Sequence, residues 1–587
     1  MPNVSCRARN SSLIVQVAGR VFAALLCAAG SPLIALAAPP TTDSCAGSDG
    51  GILLPPGFCA TVFADKLGHA RHLVVAADGV VYVNTWSSVF YRTAAPPGGF
   101  VIALKDTKGD GHADVVRRFG DGVEQGSTGG TGIAIYKNAL YVEQNDKILR
   151  YRLKAGSPVP AAAPEIIVSG LPLTGDHTMH PFVIDAGGQL FVDVASATNA
   201  CDVNNRIPLS PGNDPCTELQ TRGGIWRYDA TRTNQQFSAA ERYATGIRNG
   251  EGMSFDSAGR MYVTQHGRDQ LGENWRDRYT PEQGHELPAE EVLLLEQGGD
   301  YGWPQCYFDG LQKRLVLAPE YGGDGGHAVG VCADKRGPVA FFPAHWAPDD
   351  LVIYNGQQFP APYRGGAFIA FHGSWNRAPS PQAGYNVAFL PLADGKAAGD
   401  YIVFADGFAG AEKAPGRAEF RPTGLALAPD GALFVSDDQQ GRIWRISWHG
   451  AAGVAADTLV SARIAPAGDG HHDARPPIDS LPLPLGRTRE QLVLGDHVFH
   501  GETDGGTCSG CHASDGKGSM VGSDLTSGQW LWSDGNPDAI GQIILRGIPV
   551  PKRSIGAMPP MGGAKLSAAD VAGVACYVWA IGHRTAP

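Results

Sequence analysis

Charge is scarce in this chain: Asp, Glu, Lys and Arg make up 18% of 587 residues, and their balance is acidic, at −11. A nucleic-acid binder needs a basic face, which this composition does not supply. Long apolar runs are also missing. Past the N-terminus no stretch reaches the roughly 20 residues that a membrane-crossing helix requires, so no transmembrane helix is expected in the mature chain. No G-x-G-x-x-G follows an expected strand and opens a helix, which leaves a Rossmann-type nicotinamide or flavin site without support.

What is abundant is hydrophobic residues, at 43%, together with 78 Gly and 42 Pro. Such a chain can bury a large core, and glycine and proline in excess without a collagen period point to many turns between short strands. Residues 1–38 read as an export signal. Arg7, Arg9 and Arg20 precede an apolar stretch from Val21 to Ala37, which ends in the small-residue pattern Ala35-Leu36-Ala37. Export predicts a periplasmic protein and a compartment in which disulfides persist. Of the 11 cysteines, Cys6 and Cys27 leave with the signal, Cys508 and Cys511 share a motif and Cys576 stands alone on a late apolar helix. Six cysteines remain and allow fifteen pairings. Local loop closure makes Cys45–Cys59, Cys201–Cys216 and Cys306–Cys332 the simplest set.

Residues 39–455 repeat a unit of apolar strand, tight turn and second strand ending in an aromatic residue and Val. Residues 72–83 and 424–435 align closely, and 132–142, 181–192 and 252–263 have the same shape. Segment 365–370 is expected to begin a further unit. Degenerate repeats of antiparallel strands predict an all-β six-bladed propeller, with a two-sheet sandwich as the alternative. A Pro-rich linker, 456–485, leads to a small all-α domain over 486–587.

That second domain carries Cys508-Ser509-Gly510-Cys511-His512. C-x-x-C-H attaches one haem c covalently through both sulfurs and offers the histidine to the iron. The sixth ligand is expected to be Met558, in the Pro/Gly-rich loop Met558-Pro559-Pro560-Met561-Gly562-Gly563, with Met561 as the alternative. Asn536 is placed to cap a helix opened by Pro537, and Ser567 with Asp570 forms a capping box for the last helix. These features together resemble class I cytochromes c.

In the propeller, Thr245-Gly246-Ile247-Arg248-Asn249-Gly250-Glu251-Gly252 is followed by Gln265-His266-Gly267-Arg268-Asp269, Glu290-Glu291 and Asp300-Tyr301-Gly302-Trp303-Pro304. With Asp176-His177 and Arg421-Pro422, this order resembles the glucose/sorbosone dehydrogenases, six-bladed propellers that use pyrroloquinoline quinone (PQQ) and Ca2+. The resemblance is closest to the sorbosone-dehydrogenase branch. It implies that His177 is the general base that takes the sugar's hydroxyl proton while hydride passes to the quinone, with Asp176 orienting it. It also implies that Arg248, Asn249 and Arg421 contact PQQ, and that the carbonyls of Gly267 and Arg268 ligate calcium. Arg377 stands near where some relatives place a lysine over the cofactor. His180 stands where the branch often has arginine.

The expected protein is a periplasmic quinohaemoprotein. It oxidises an aldose or sorbosone-type sugar at C1 and passes electrons through its haem to a downstream cytochrome, quinone or terminal oxidase. A calcium-dependent lactonase-like hydrolase and a non-catalytic binding propeller with an electron-transfer tail are the alternatives.

Overall fold

A computed structural model describes residues 50–87, 96–122, 128–154, 156–377, 381–413, 417–450, 475–503, 508–512, 515–518, 522–548, 552, 558 and 560–584. The export signal, Cys45 and most of the linker lie outside them. Six antiparallel sheets, each with four consecutive blade strands, form a six-bladed propeller. The first five blades take their strands in chain order, from Ala70–Val75 in the first to Ile402–Ala405 in the fifth. The sixth joins Pro422–Leu427, Leu433–Asp437 and Ile443–Trp448 to the N-terminal strand Phe58–Ala64. Pairing first strand with last closes the ring and covers an edge that would otherwise be open.

The repeat has a local cause. In four blades the first two strands are joined by the same tight turn, with Gly79, Gly188, Gly259 or Gly431 at a left-handed φ of 78° to 90°. A side chain is strained at that φ, so glycine marks the turn in the sequence. Strand faces are apolar on both sides because each blade packs between two neighbours. Trp226 and Trp444 are fully buried in this way, and an aromatic cluster of Phe58, Tyr354, Phe359, Tyr363, Phe368 and Phe404 fills the space between the last two blades. Burial of each such side chain contributes on the order of 2 kcal/mol.

One expected boundary is corrected. Residues 365–370 do not begin a blade: they fall in its second strand, Ala367–Phe371, which pairs with Pro348–Ile353 before it. Asp349 and Asp350 interrupt the apolar pattern of that first strand and hid it. The two described disulfides, Cys201–Cys216 and Cys306–Cys332, match the expected pairing, and Cys59 is also disulfide-bonded.

The C-terminal region is helical: Arg489–Phe499, Cys508–His512, Pro537–Arg546 and Ala568–Gly582. Asn536 accepts from the Ala539 N–H, and Ser567 and Asp570 close a capping box, as the sequence suggests. The first and last of these helices cross where Gly495 meets Gly573. A Cβ on Gly495 would lie 1.9 Å from the Gly573 carbonyl oxygen, so only glycine permits the approach.

Candidate active site

The longest propeller connections lie in the third and fourth blades: 195–223, tied by Cys201–Cys216; 266–289, with two short helices; and 296–339, tied by Cys306–Cys332. Two of them, 195–223 and 266–289, supply lining residues to a cavity that also takes side chains from the inner strand ends of other blades. Asp176, His177, Arg248, Asn249, Gly267 and Arg421, singled out from the sequence, all line it. Trp86, Met179 and Trp375 give it flat apolar surface.

His177 is fixed in one tautomer. Its Nδ1 lies 2.9 Å from the Ser196 carbonyl and 3.1 Å from Ser196 Oγ, while that hydroxyl donates to the Thr198 carbonyl at 2.7 Å. Both atoms facing Nδ1 are therefore acceptors, so Nδ1 carries the proton and Nε2 keeps its lone pair. Burial first, and then the Arg248 cation, push the imidazole down to about 3. The ring is neutral at pH 7, as a proton acceptor must be.

Asp176 does not orient this ring through a hydrogen bond; Ser196 does. The carboxylate accepts instead from Arg206 Nε at 2.8 Å and Asn205 Nδ2 at 3.1 Å. Burial works to raise its pKa, but the Arg206 and neighbouring charges outweigh it and hold the group ionised. Arg206 also pairs with Asp269 at 3.0 Å, and Asp269 pairs with Arg248 at 2.9 Å. A continuous chain of alternating charge thus braces the wall behind His177.

The cavity's cationic groups suit a planar polyanion. Arg421 donates from Nε to the His372 carbonyl and from Nη2 to the Gly373 carbonyl, and its guanidinium lies 5.4 Å from the Tyr385 ring centre. Among the described residues its Nη1 has no hydrogen-bond partner, which leaves it available to a carboxylate. Arg248 and Asn249 add a second cation and an amide. Arg248 gives its donors to Asn199, Gly267 and Asp269, and Asn249 donates to Glu251. Arg421 is therefore the donor that fits a carboxylate of a flat quinone, and Trp86 and Trp375 fit its faces.

Two expectations need correction. Arg377 does not line the cavity: it donates to the carbonyls of His285, Ala344 and Pro381 and pairs with Glu286 at 2.6 Å, so it staples the helical insert in place. Asn376 is the lining residue at that point, and it donates to Asp269 at 3.0 Å. The carbonyl pair expected to hold calcium also fits poorly. Gly267 O accepts from Arg248 Nη1 at 3.0 Å, which puts a fixed cation where a metal ion would approach, and Arg268 is absent from the lining and pairs with buried Glu320. The loop Asp106–Asp114 resembles a calcium turn, but Asp106 accepts from the N–H groups of Lys108, Gly109 and Gly111 within the loop itself. His180 is buried behind the cavity, between Glu143 and the Pro172 carbonyl.

Sequence reading missed the cavity floor. Arg71, Glu251, His266, Asp349, His372 and Asp438 line it, from strand ends far apart in the chain. Their one shared signal is position: Arg71 and Asp349 stand at the start of a blade's first strand, as Arg421 does just before another.

In the helical domain, His512 Nδ1 lies 2.7 Å from the Ser523 carbonyl, which leaves Nε2 for iron. Met558 is pinned by paired backbone hydrogen bonds with Ile548, at 2.7 and 2.9 Å, and packs with Met561 and Cys508 against the helical core. This donor set fits a covalently attached haem. Residues 43–587 form one compact unit. Arg417 of the propeller donates to Asp515, beside the haem motif, at 2.8 Å. The charges acting on Cys511 include those of Glu273, Arg206 and Asp269, the last two of which line the cavity.

Comparison with known proteins agrees with this architecture. Residues 52–449 match the TrAA12-like family, and residues 502–578 match the family of cytochrome c oxidase, cbb3-type, subunit III. A pyrroloquinoline quinone-dependent pyranose dehydrogenase of Coprinopsis cinerea is 28% identical over 293 residues, 41% of this chain and 38% of that protein. An uncharacterized protein of Borreliella burgdorferi is 29% identical over 221 residues, 36% of this chain and 50% of that protein. The chain thus spans half or less of the length of these curated relatives. Among solved structures, a Trichoderma reesei family AA12 carbohydrate-active enzyme superposes with a TM-score of 0.54 at 17% identity, covering 68% of this chain and 98% of that one. The holo PQQ domain of the C. cinerea enzyme gives 0.54 at 18%, covering 68% and 97%. The six blades, the cavity at their axis and a family match over 52–449 place this chain in the TrAA12-like family, with a cytochrome c domain joined at its C-terminal side.

Proposed function

We propose that the chain is a PQQ-dependent sugar dehydrogenase that oxidises an aldose or sorbosone-type sugar at C1 and passes the electrons to its own haem c. The observation that carries this reading is the single free lone pair of His177 Nε2, held neutral in the cavity that also presents Arg248, Asn249 and Arg421. PQQ, when bound, supplies a two-electron acceptor next to that base.

His177 Nε2 takes the proton from the sugar's C1 hydroxyl, and its Nδ1–H stays on Ser196, so the imidazolium that forms is already oriented. Asp176, ionised and held by Arg206, favours that positive charge. Arg421 pairs with a cofactor carboxylate, and Arg248 places positive charge beside the acceptor. Trp86 and Trp375 line the cavity and would offer apolar faces to the cofactor. Cys508 and Cys511 hold the haem, His512 and Met558 ligate its iron, and fusion keeps the acceptor at high effective concentration. Proximity of Cys511 to the charges of Arg206 and Asp269 supports a short path from cavity to haem.

Disulfides and the N-terminal signal pattern support an export route to the periplasm. No helix among the described residues is long and apolar enough to cross a membrane. A periplasmic cytochrome, quinone or terminal oxidase then takes the electrons onward.

The test is the visible spectrum of the purified holo-cytochrome with PQQ and a panel of aldoses and sorbosone. Haem reduction that needs both quinone and sugar is the expected result. Reduction of an artificial dye with the haem left oxidised would remove the internal relay, and reduction of neither would remove the dehydrogenase reading for those sugars.

A further inference from the structure

The cavity floor holds an arrangement that the sugar chemistry above does not use. Glu251, Asp349 and Asp438 are all buried, and all three pair with one guanidinium, that of Arg71, at 2.6, 3.3 and 2.9 Å. Asp438 is also paired with His372 at 2.9 Å, whereas Glu251 and Asp349 share the Arg71 cation, and buried carboxylates are characteristically paired or coordinate a metal.

His266 adds the second observation. Its Nε2 is buried and has no hydrogen-bond partner among the described residues. That nitrogen lies 3.6 Å from Asp349 Oδ1. The separation is too long for a hydrogen bond. It is close to the spacing of two ligands on one metal ion, whose bonds to nitrogen and oxygen run about 2.0–2.2 Å. One atom from each of Glu251, His266 and Asp349 lies within 4.8 Å of the others.

The surroundings are those of a built site. Carboxylates that ligate a metal are held by hydrogen bonds of their own. Arg71 holds Glu251 by Oε2 and Asp349 by Oδ2, and Asn249 donates to Glu251 Oε1 at 3.2 Å. Asp349 Oδ1 and His266 Nε2 are left facing one another. All three candidate ligands line the cavity, which gives an entry path.

We infer that Glu251, His266 and Asp349 bind a divalent first-row transition metal ion, such as Mn2+ or Zn2+, at the floor of the propeller cavity. One imidazole with two carboxylates suits such an ion better than calcium, which takes oxygen ligands. The site is distinct from the Gly267 and Arg268 carbonyls. It needs neither quinone nor sugar, so it stands or falls separately from the proposed activity.

The experiment uses the full haem-loaded chain, chelator-treated and free of PQQ, titrated with Mn2+ and followed by electron paramagnetic resonance. One tightly bound Mn2+ per chain, displaced by Zn2+, is expected. His266→Ala and Asp349→Asn should each weaken it roughly 10–100-fold or more, since loss of an outer-shell partner alone costs that much, while the haem spectrum stays unchanged. No stoichiometric binding, equal binding in both variants, or binding of Ca2+ in place of Mn2+ and Zn2+ would overturn the assignment. Anomalous diffraction from a Mn2+-soaked crystal of the unmutated chain gives a second reading that does not depend on how the variants fold. A peak bonded to these three residues is expected, and a peak at any other cavity position, or none, would overturn it.

Discussion

Two histidines in one cavity are prepared for opposite work. His177 on the wall and His266 on the floor are both partly buried, and desolvation first of all pushes both imidazoles below the ordinary histidine value. They differ in what stands nearest the ring. Near His177 the strongest neighbouring charge is the Arg248 guanidinium; facing His266 is the carboxylate of Asp349. A lone pair beside a fixed cation stays unprotonated at neutral pH and so is open to a substrate hydroxyl. A lone pair facing a carboxyl oxygen at 3.6 Å is placed to share a metal ion with it. The charge opposite the ring therefore sets the role, and residue type alone does not.

The largest expected effect comes from removing the wall histidine. His177→Ala should lower sugar-dependent haem reduction about 10²–10⁴-fold, the usual contribution of a positioned proton acceptor. Stopped-flow absorbance at the haem band measures it, with the oxidised spectrum as the check that the domain is intact. A variant that kept its rate would erase the distinction between the two rings.

Replacing Asp176 by Asn tests how the wall is braced. Arg206 would lose one of its two ion pairs in a mostly buried setting, and breaking a buried pair costs on the order of 3–5 kcal/mol where burial is complete. Asp176 is partly exposed, so the loss should fall below that range in a denaturant midpoint. The pH profile gives a finer reading. His177 sits near 3, below the ordinary histidine value, so its acid limb should lie well below pH 6 and the rate should hold as pH falls through 6.5. Asp176 raises the histidine's proton affinity, so Asp176→Asn should move that limb to still lower pH. A limb at 6.5 in the unmutated chain would mean that burial and Arg248 together do not lower the ring's proton affinity.

How far this contrast could be read from the sequence depends on the spacing of its parts. The haem motif, the Asn536 cap and the Ser567 capping box each lie within a few residues, and the helices form where those signals stand. The turn glycines made the blades legible for the same reason. The cavity floor was not legible, because Arg71 reaches Glu251, Asp349 and Asp438 across 180, 278 and 367 residues. Ring closure of the propeller brings them together, and no local pattern encodes that. Arg377 shows the converse error: it stands at the expected place in the chain, but a nearby insert supplies carbonyls that turn its guanidinium to a structural task.

The smallest effect tests whether the tautomer, rather than the histidine alone, is what the wall provides. Ser196→Ala removes one of two acceptors for Nδ1–H, the hydroxyl at 3.1 Å, and keeps the carbonyl at 2.9 Å. A hydrogen bond of this kind contributes about 1 kcal/mol, so the rate should fall only about fivefold while the acid limb stays low. Such a split, a modest loss of rate with an unmoved limb, would assign orientation to the Ser196 backbone and neutrality to burial and Arg248. A loss as large as that of His177→Ala would instead make the hydroxyl the atom that selects the tautomer.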